Sequence, residues 1–152
     1  KFMNKNIEEK IDKNYEEKIE NGQNKALLEK ILKTNLLPLA FIGDGVHTMF
    51  VREFVLQNNP LKMENYHSIA SKYCKASTQA KVLKEFMPYL TDEENEIVRR
   101  GRNAKPKHHA KNSSIADYSY ATAFEVLIGY LYLKGDKDRL NEILDFSVKT
   151  IL

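Results

Sequence analysis

Two long apolar segments, each with a single charged residue, constrain this chain more than any other feature. Leu36–Val51 has 16 residues and one formal charge, Asp44, while Ala121–Leu133 has 13 residues and one formal charge, Glu125. Both segments are predicted as helices that are apolar on nearly every face, and such helices lie at the centre of a domain. A carboxylate in that position costs several kcal/mol unless a cation or hydrogen bonds compensate it. Each acid therefore reaches water, or the two converge on something positive.

Two interpretations of the acid pair are open. Distant lysines, arginines or backbone groups can satisfy each carboxylate separately, or the two can share a divalent metal ion. A site with few, hard oxygen ligands suits Mg²⁺, which keeps several of its water molecules. The glycines at positions 43, 45 and 129 are expected to let the two helices approach closely. His47, three residues after Asp44, is either a core histidine or a hydrogen-bond partner of the site.

The rest of the chain also predicts helices and no strands, so the fold class is all-α, a helical bundle. An amphipathic surface helix is predicted for Phe2–Glu20, where apolar residues recur every four positions. Thr91 and Glu94 have the spacing of a capping box at the start of a helix that should stop at Gly101. The other predicted helices are Ala26–Leu32, Leu36–Leu56, Met63–Ala76, Thr78–Phe86, Ser113–Leu133 and a last one from Lys137 onward.

Length and composition exclude several classes of protein. A chain of 152 residues predicts one domain. Its single cysteine, Cys74, rules out a disulfide framework and a multi-cysteine zinc site, so we expect a reducing compartment, the cytoplasm. No stretch reaches the ~18–20 apolar residues that a membrane span needs, so no membrane partner is expected.

The basic residues concentrate in one short segment. Arg99–Lys111 contains six lysines or arginines, two histidines and no acid, so its formal charge is +6. The rest of the chain has 18 basic and 21 acidic residues, a charge of −3, which gives the total of +3. Gly101 and Pro106 predict a loop that leads into the helix carrying Glu125. Such a loop is either solvated or a binding site for a polyanion, and beside a metal-binding acid pair it favours nucleic acid. The predicted RNA-binding residues are Arg99, Arg100, Arg102, Asn103, Lys105, Lys107 and Lys111.

Two motifs resemble a known family. Leu39–Val46 is similar to the signature helix of the ribonuclease III catalytic domain, and Ala121–Tyr130 is similar to its second acidic motif. Together they extend the resemblance over Leu36–Leu133. It implies a helical endonuclease domain that cleaves double-stranded RNA, with Asp44 and Glu125 as the catalytic, metal-binding pair.

Two departures narrow the resemblance to Mini-III ribonucleases, which have the catalytic domain alone. Ala40 and Thr122 stand where most ribonuclease III enzymes have further acids, and the chain ends about 20 residues after the second motif. We therefore expect an N-terminal helical extension over 1–35 and a catalytic domain over 36–152.

The Mini-III resemblance also implies the reaction and its partners. The expected cofactor is Mg²⁺, for which Mn²⁺ can substitute. The expected products carry a 5′-phosphate and a 3′-hydroxyl, and the expected substrate is precursor large-subunit (23S) ribosomal RNA. A two-fold homodimer is implied as well, with Phe41 of the signature helix at its interface. The alternative is a non-catalytic protein of the same fold that binds double-stranded RNA or assists ribosome assembly.

Overall fold

The computed structural model describes residues 23–59, 65–104 and 114–151, and within them the chain is helical without strands. The all-α prediction is therefore confirmed. The predicted helix over 2–20 lies outside the described residues. The helices are α1 (Gln23–Leu32), α2 (Leu37–Asn58), α3 (Tyr66–Cys74), α4 (Ala76–Phe86), α5 (Asp92–Asn103), α6 (Ile115–Lys134) and α7 (Lys137–Lys149), with a 3₁₀ turn at Met87–Tyr89.

The helix starts follow the local signals in the sequence. Pro38 lies in the first turn of α2, where its missing N–H removes no helical hydrogen bond. The predicted capping box opens α5: the Thr91 hydroxyl accepts the Glu94 N–H at 3.1 Å, and the Glu94 carboxylate accepts the Thr91 N–H at 2.9 Å. The first residue after α3 is Lys75, which has an extended backbone, so α3 and α4 meet slightly earlier than predicted.

Helix α6 is the centre of the domain. It packs against α1, α2, α4, α5 and α7, and Phe124, Val126, Leu127 and Ile128 are fully buried. Being surrounded by five helices explains why its sequence is apolar on every face. Leu28 of α1 belongs to the same core. No helix in the described parts of the chain is long and apolar enough to cross a membrane.

The backbones of α2 and α6 touch where they cross. A Cβ atom added to Gly43 would lie 1.8 Å from the carbonyl oxygen of Glu125, and one added to Gly129 would lie 2.0 Å from the carbonyl oxygen of Leu39. The predicted close approach is confirmed for these two glycines, because any side chain would force the helices apart. It is wrong for Gly45, which has nothing within 4 Å of the corresponding position.

The prediction that Gly101 ends a helix is also wrong. Helix α5 continues to Asn103, and Gly101 is buried against α6, where an added Cβ would lie 3.0 Å from the Cα of Ala123. This glycine permits close packing instead of a turn. The predicted basic loop is therefore helical up to Asn103, and Arg99, Arg100 and Arg102 lie on the last turns of α5.

Alanine substitutions at the glycines test this crossing. We expect Gly43→Ala and Gly129→Ala each to lower the free energy of unfolding by about 3 kcal/mol, the upper part of the range for overpacked cores, because the clashing atoms are backbone. Gly45→Ala is the matched control and should raise it by about 0.5–1 kcal/mol, since alanine is the better helix residue. Urea unfolding measures all three, and a Gly129→Ala protein as stable as Gly45→Ala would contradict the crossing.

Candidate active site

The helix crossing brings Asp44 and Glu125 side by side. The carbonyl oxygen of Glu125 faces Gly43, the residue directly before Asp44, so the two acids are neighbours across the contact. Their carboxyl groups lie within hydrogen-bonding reach of each other. Asp44 is exposed and Glu125 is half-buried. Acids that are 81 positions apart in the chain thus form one site with an opening to solvent.

The electrostatics of this pair are unfavourable in the protein alone. Burial, and then the adjacent charge of Asp44, raise the pKa of Glu125 to about 7. A hydrogen bond from Gln79 acts in the opposite direction and favours the carboxylate. No lysine or arginine within residues 23–59, 65–104 and 114–151 forms an ion pair with either acid. The site therefore concentrates negative charge, and no lysine or arginine of the described residues is paired with it.

This arrangement fits a divalent cation held by few protein ligands. The described residues contain no group of three or more histidines, cysteines or acids that could hold a metal ion, so the pair would supply two oxygen ligands and leave the rest to water. Mg²⁺ is the common ion that tolerates such a site. Ala40 and Thr122, both buried, lie about one turn before Asp44 and Glu125, and the Thr122 hydroxyl donates to the carbonyl of Tyr118 at 3.0 Å.

His47 is a core residue with a polar neighbour. It is 1% exposed, its ring makes an edge contact with Phe124 at 4.9 Å between centroids, and burial lowers its pKa to about 4. Its Nδ1 lies 3.2 Å from the Nε2 of Gln79, which in turn donates to the Oε1 of Glu125 at 3.5 Å.

Gln79 is a site residue that the sequence analysis missed. It is 3% exposed and lies on the buried face of α4, together with Val82, Leu83 and Phe86. The signal was present in that spacing, since residues at i, i+3, i+4 and i+7 share one face of a helix. An amide on an otherwise apolar face needs a polar partner in the core.

The arginines at the end of α5 make different contacts. Arg99 pairs with Glu96 at 2.6 Å and is solvent-exposed, while Arg100 donates to the backbone carbonyl of Leu32 at 2.7 Å. Arg102 stacks on the ring of Tyr120, with 3.9 Å from its guanidinium carbon to the ring centroid. Asn103 is exposed. Lys105, Lys107 and Lys111 lie outside the described residues.

A further lysine joins this basic end of the domain. The Nζ of Lys84 lies 4.7 Å from the centroid of the Tyr120 ring and 3.2 Å from Asp117. The neighbouring Ser119 hydroxyl donates to the carbonyl of Arg102 at 3.0 Å. The end of α5 is thereby fastened to the first turns of α6, the helix that carries Glu125.

Phe41 lies on an exposed apolar stripe of α2. It is 82% exposed, and Met49 and Leu56, on the same face of the helix, are 60% and 54% exposed. Large apolar side chains gathered on one face are typical of a surface that is covered by another molecule. The stripe runs beside Asp44 on the same helix.

Comparison with known proteins identifies the family. Residues 37–136 match the sequence model of a family described as the ribonuclease III domain. The chain belongs to the ribonuclease III family. It is 48% identical over 111 residues to the Mini-ribonuclease 3 of Brevibacillus brevis, covering 73% of this chain and 83% of that protein. It is 44% identical over 115 residues to the Mini-ribonuclease 3 of Symbiobacterium thermophilum, covering 76% of this chain and 88% of that protein.

A solved structure agrees with the assignment. A crystal structure of a protein from Fusobacterium nucleatum has a TM-score of 0.71 and 25% sequence identity to this chain, covering 78% of this chain and 95% of that one. The resemblance to Mini-III ribonucleases and the ribonuclease III fold are confirmed. As a member of this family the chain is an endoribonuclease of the ribonuclease III type. The family acts on double-stranded RNA and uses divalent metal ions.

The burial of Glu125 next to the charge of Asp44 predicts a pH-dependent stability. Because its folded-state pKa of about 7 lies above the ordinary value of 4.5, ionisation opposes folding, and stability is lost as the pH rises from about 4.5 to 7. In protein freed of metal with a chelator, we expect Glu125→Gln to abolish this loss and to be more stable by roughly 1–3 kcal/mol at pH 8. Denaturant unfolding across this pH range measures the difference.

The control for this measurement is Glu85→Gln, which changes an exposed glutamate of α4. Its free energy of unfolding should follow that of the unchanged protein at every pH. If the free energies of unfolding of the unchanged protein and of Glu125→Gln change in parallel between pH 4.5 and 8, ionisation of Glu125 does not destabilise the fold.

Proposed function

We propose that this protein is a Mg²⁺-dependent endoribonuclease for double-stranded RNA, with Asp44 and Glu125 as its catalytic and metal-binding residues. Mn²⁺ is expected to replace Mg²⁺. The observation that supports the proposal most directly is that the two acids lie next to each other. No lysine or arginine of the described residues forms an ion pair with either of them.

The two carboxylates differ in their exposure to solvent. Exposed Asp44 faces the side from which RNA approaches, while half-buried Glu125 is held from behind by the core and by Gln79. A bound Mg²⁺ supplies Lewis-acid chemistry, activating water and neutralising charge on the phosphate that is cut. Cleavage is proposed to leave a 5′-phosphate and a 3′-hydroxyl. The glycine crossing keeps the ligands in register, because backbone contact leaves the helices little freedom to shift.

The end of α5 is proposed to bind the RNA backbone. Arg99, Arg100, Arg102 and Asn103 lie there, and Lys105, Lys107 and Lys111 follow in the sequence. Tyr120 keeps Arg102 next to the first turns of α6, so phosphates bound here would lie along the helix that carries Glu125. Contacts to phosphates and 2′-hydroxyls read the A-form shape of duplex RNA more than its sequence.

Precursor large-subunit (23S) ribosomal RNA is the proposed substrate, and the cytoplasm the proposed compartment. The Mini-III resemblance implies this substrate class, and the names of the relatives support an enzyme that cuts RNA. The single cysteine suits a reducing compartment.

A two-fold homodimer is proposed to cut both strands. One acid pair cuts one strand, so a second site related by a dyad would match the approximate dyad of the duplex. The exposed stripe of Phe41, Met49 and Leu56 beside Asp44 is the surface that supports this arrangement.

Substitution of the acids tests the proposed reaction. We expect Asp44→Asn to reduce cleavage of long duplex RNA by roughly 10³-fold, because loss of a metal ligand removes several kcal/mol of transition-state stabilisation. Asp145→Asn, at an exposed position of α7, makes the same chemical change away from the site and should cut normally. Gel analysis of RNA incubated with Mg²⁺ or Mn²⁺, with and without chelator, measures both.

Two outcomes would contradict this reaction. If the unchanged protein leaves RNA intact at every Mg²⁺ and Mn²⁺ concentration, the non-catalytic binding protein is the better explanation. If Asp44→Asn cuts like the unchanged protein, Asp44 does not belong to the active site.

Substitution of Phe41 tests the dimer. We expect Phe41→Glu to convert a dimer to a monomer, since a charge would be buried at the centre of the contact. Leu27→Glu, at an exposed leucine of α1, is the control and should remain dimeric. Analytical ultracentrifugation distinguishes the two masses, and a Phe41→Glu protein that still sediments as a dimer would place the interface elsewhere.

A further inference from the structure

Gln79 connects three helices at the candidate active site through its side-chain amide. Its side-chain Nε2 lies 3.2 Å from the Nδ1 of His47 on α2 and 3.5 Å from the Oε1 of Glu125 on α6. Both Gln79 and His47 are almost completely buried, at 3% and 1% exposure. Buried polar groups that contact a catalytic carboxylate restrict its orientation.

His47 acts here as a hydrogen-bond acceptor. A neutral imidazole donates from one ring nitrogen and accepts at the other, and burial keeps this ring neutral by lowering its pKa to about 4. Because Nδ1 faces the nitrogen of the Gln79 amide, the ring proton belongs on Nε2. The edge contact with Phe124, at an interplanar angle of 81°, holds the plane of the ring.

The Glu125 carboxylate can only accept, so it decides that the nitrogen end of the Gln79 amide faces the site, and His47 Nδ1 then accepts from the same nitrogen. The amide nitrogen has two hydrogens, one for His47 and one for Glu125. If the amide were reversed, its carbonyl oxygen would face both the ring acceptor and the carboxylate, and three acceptors would repel one another. Gln79 therefore presents an N–H donor, and not an oxygen, to Glu125, while His47 accepts from the same amide nitrogen.

We propose that His47 and Gln79 are a positioning pair that holds the Glu125 carboxylate beside Asp44 in the orientation that binds the divalent cation. The inference rests on the proposed function, since it concerns the same site. Gln79 donates to Glu125 and His47 contacts Gln79, so both act through Glu125. The amide donor also offsets part of the repulsion between the two acids, which would otherwise drive Glu125 away from its neighbour.

Metal binding without RNA tests the pair directly. The probe is Mn²⁺ alone, with the free ion counted by electron paramagnetic resonance. Gln79→Met keeps the length of the side chain and removes the donor, and it should raise the Mn²⁺ Kd roughly 10-fold or more. His47→Leu, which removes the acceptor, should raise the Kd by a similar factor.

A double substitution separates a shared role from two independent ones. Because His47 acts through Gln79, the protein carrying both Gln79→Met and His47→Leu should bind Mn²⁺ no more weakly than Gln79→Met alone. His47→Asn places an amide oxygen near the position of Nδ1 and should restore most of the affinity. Should Gln79→Met fail to fold, the comparison of His47→Leu with His47→Asn decides the question.

The control is Thr78→Val, which removes a buried hydroxyl of α4 that donates to the carbonyl of Lys72 at 2.7 Å. It should lower the Tm and leave the Mn²⁺ Kd unchanged, as would any merely structural residue. The proposed positioning role is overturned if Gln79→Met binds Mn²⁺ with the Kd of the unchanged protein. It is also overturned if the increases in Kd of the two single variants multiply in the double variant.

Asp44→Asn distinguishes failure of this inference from failure of the proposed function. It should abolish Mn²⁺ binding by a folded protein. Unchanged Mn²⁺ binding in Asp44→Asn would overturn the metal site and the pair together. Loss in Asp44→Asn with no change in Gln79→Met would overturn the pair alone.

Discussion

The backbone contact between α2 and α6 is the constraint on which the rest of this structure depends. Gly43 and Gly129 each face a carbonyl oxygen of the other helix so closely that no side chain fits between them. The contact buries two helices that are apolar on nearly every face. It also sets Asp44 directly beside Glu125, so the contact that completes the core also builds the candidate active site.

Glu125 shows how stability and function oppose each other in this domain. Burial and the charge of Asp44 both disfavour its ionised form, while the amide of Gln79 favours it. A carboxyl pair placed this way weakens the fold in the absence of a cation, and the same features favour a cation in the function proposed for it. Active sites commonly retain such strain because the surrounding core holds the residues in place.

The sequence analysis was wrong about two glycines because their roles depend on packing between elements distant in the chain. Gly101 resembles a helix stop, yet it lies inside α5 because α6 packs against it. Gly45 resembles a packing glycine, yet it faces open space. A glycine has the same local signature in both cases, and only the neighbouring helix distinguishes them. Gln79 was missed for the same reason, since its partners lie on α2 and α6.

The amino-acid sequence was sufficient to predict an all-α domain, the capping box at Thr91, the two central helices and the single acid within each of them. Those features follow from periodicity, local hydrogen bonding and the cost of burying charge, all of which act over a few residues. The motifs around Asp44 and Glu125 were also sufficient to indicate the ribonuclease III family. The tertiary structure alone shows that the two acids are neighbours across the helix crossing, that Gln79 joins Glu125 to His47, and that Arg102 stacks on Tyr120. These contacts depend on how helices cross, which is set by packing between segments far apart in the chain.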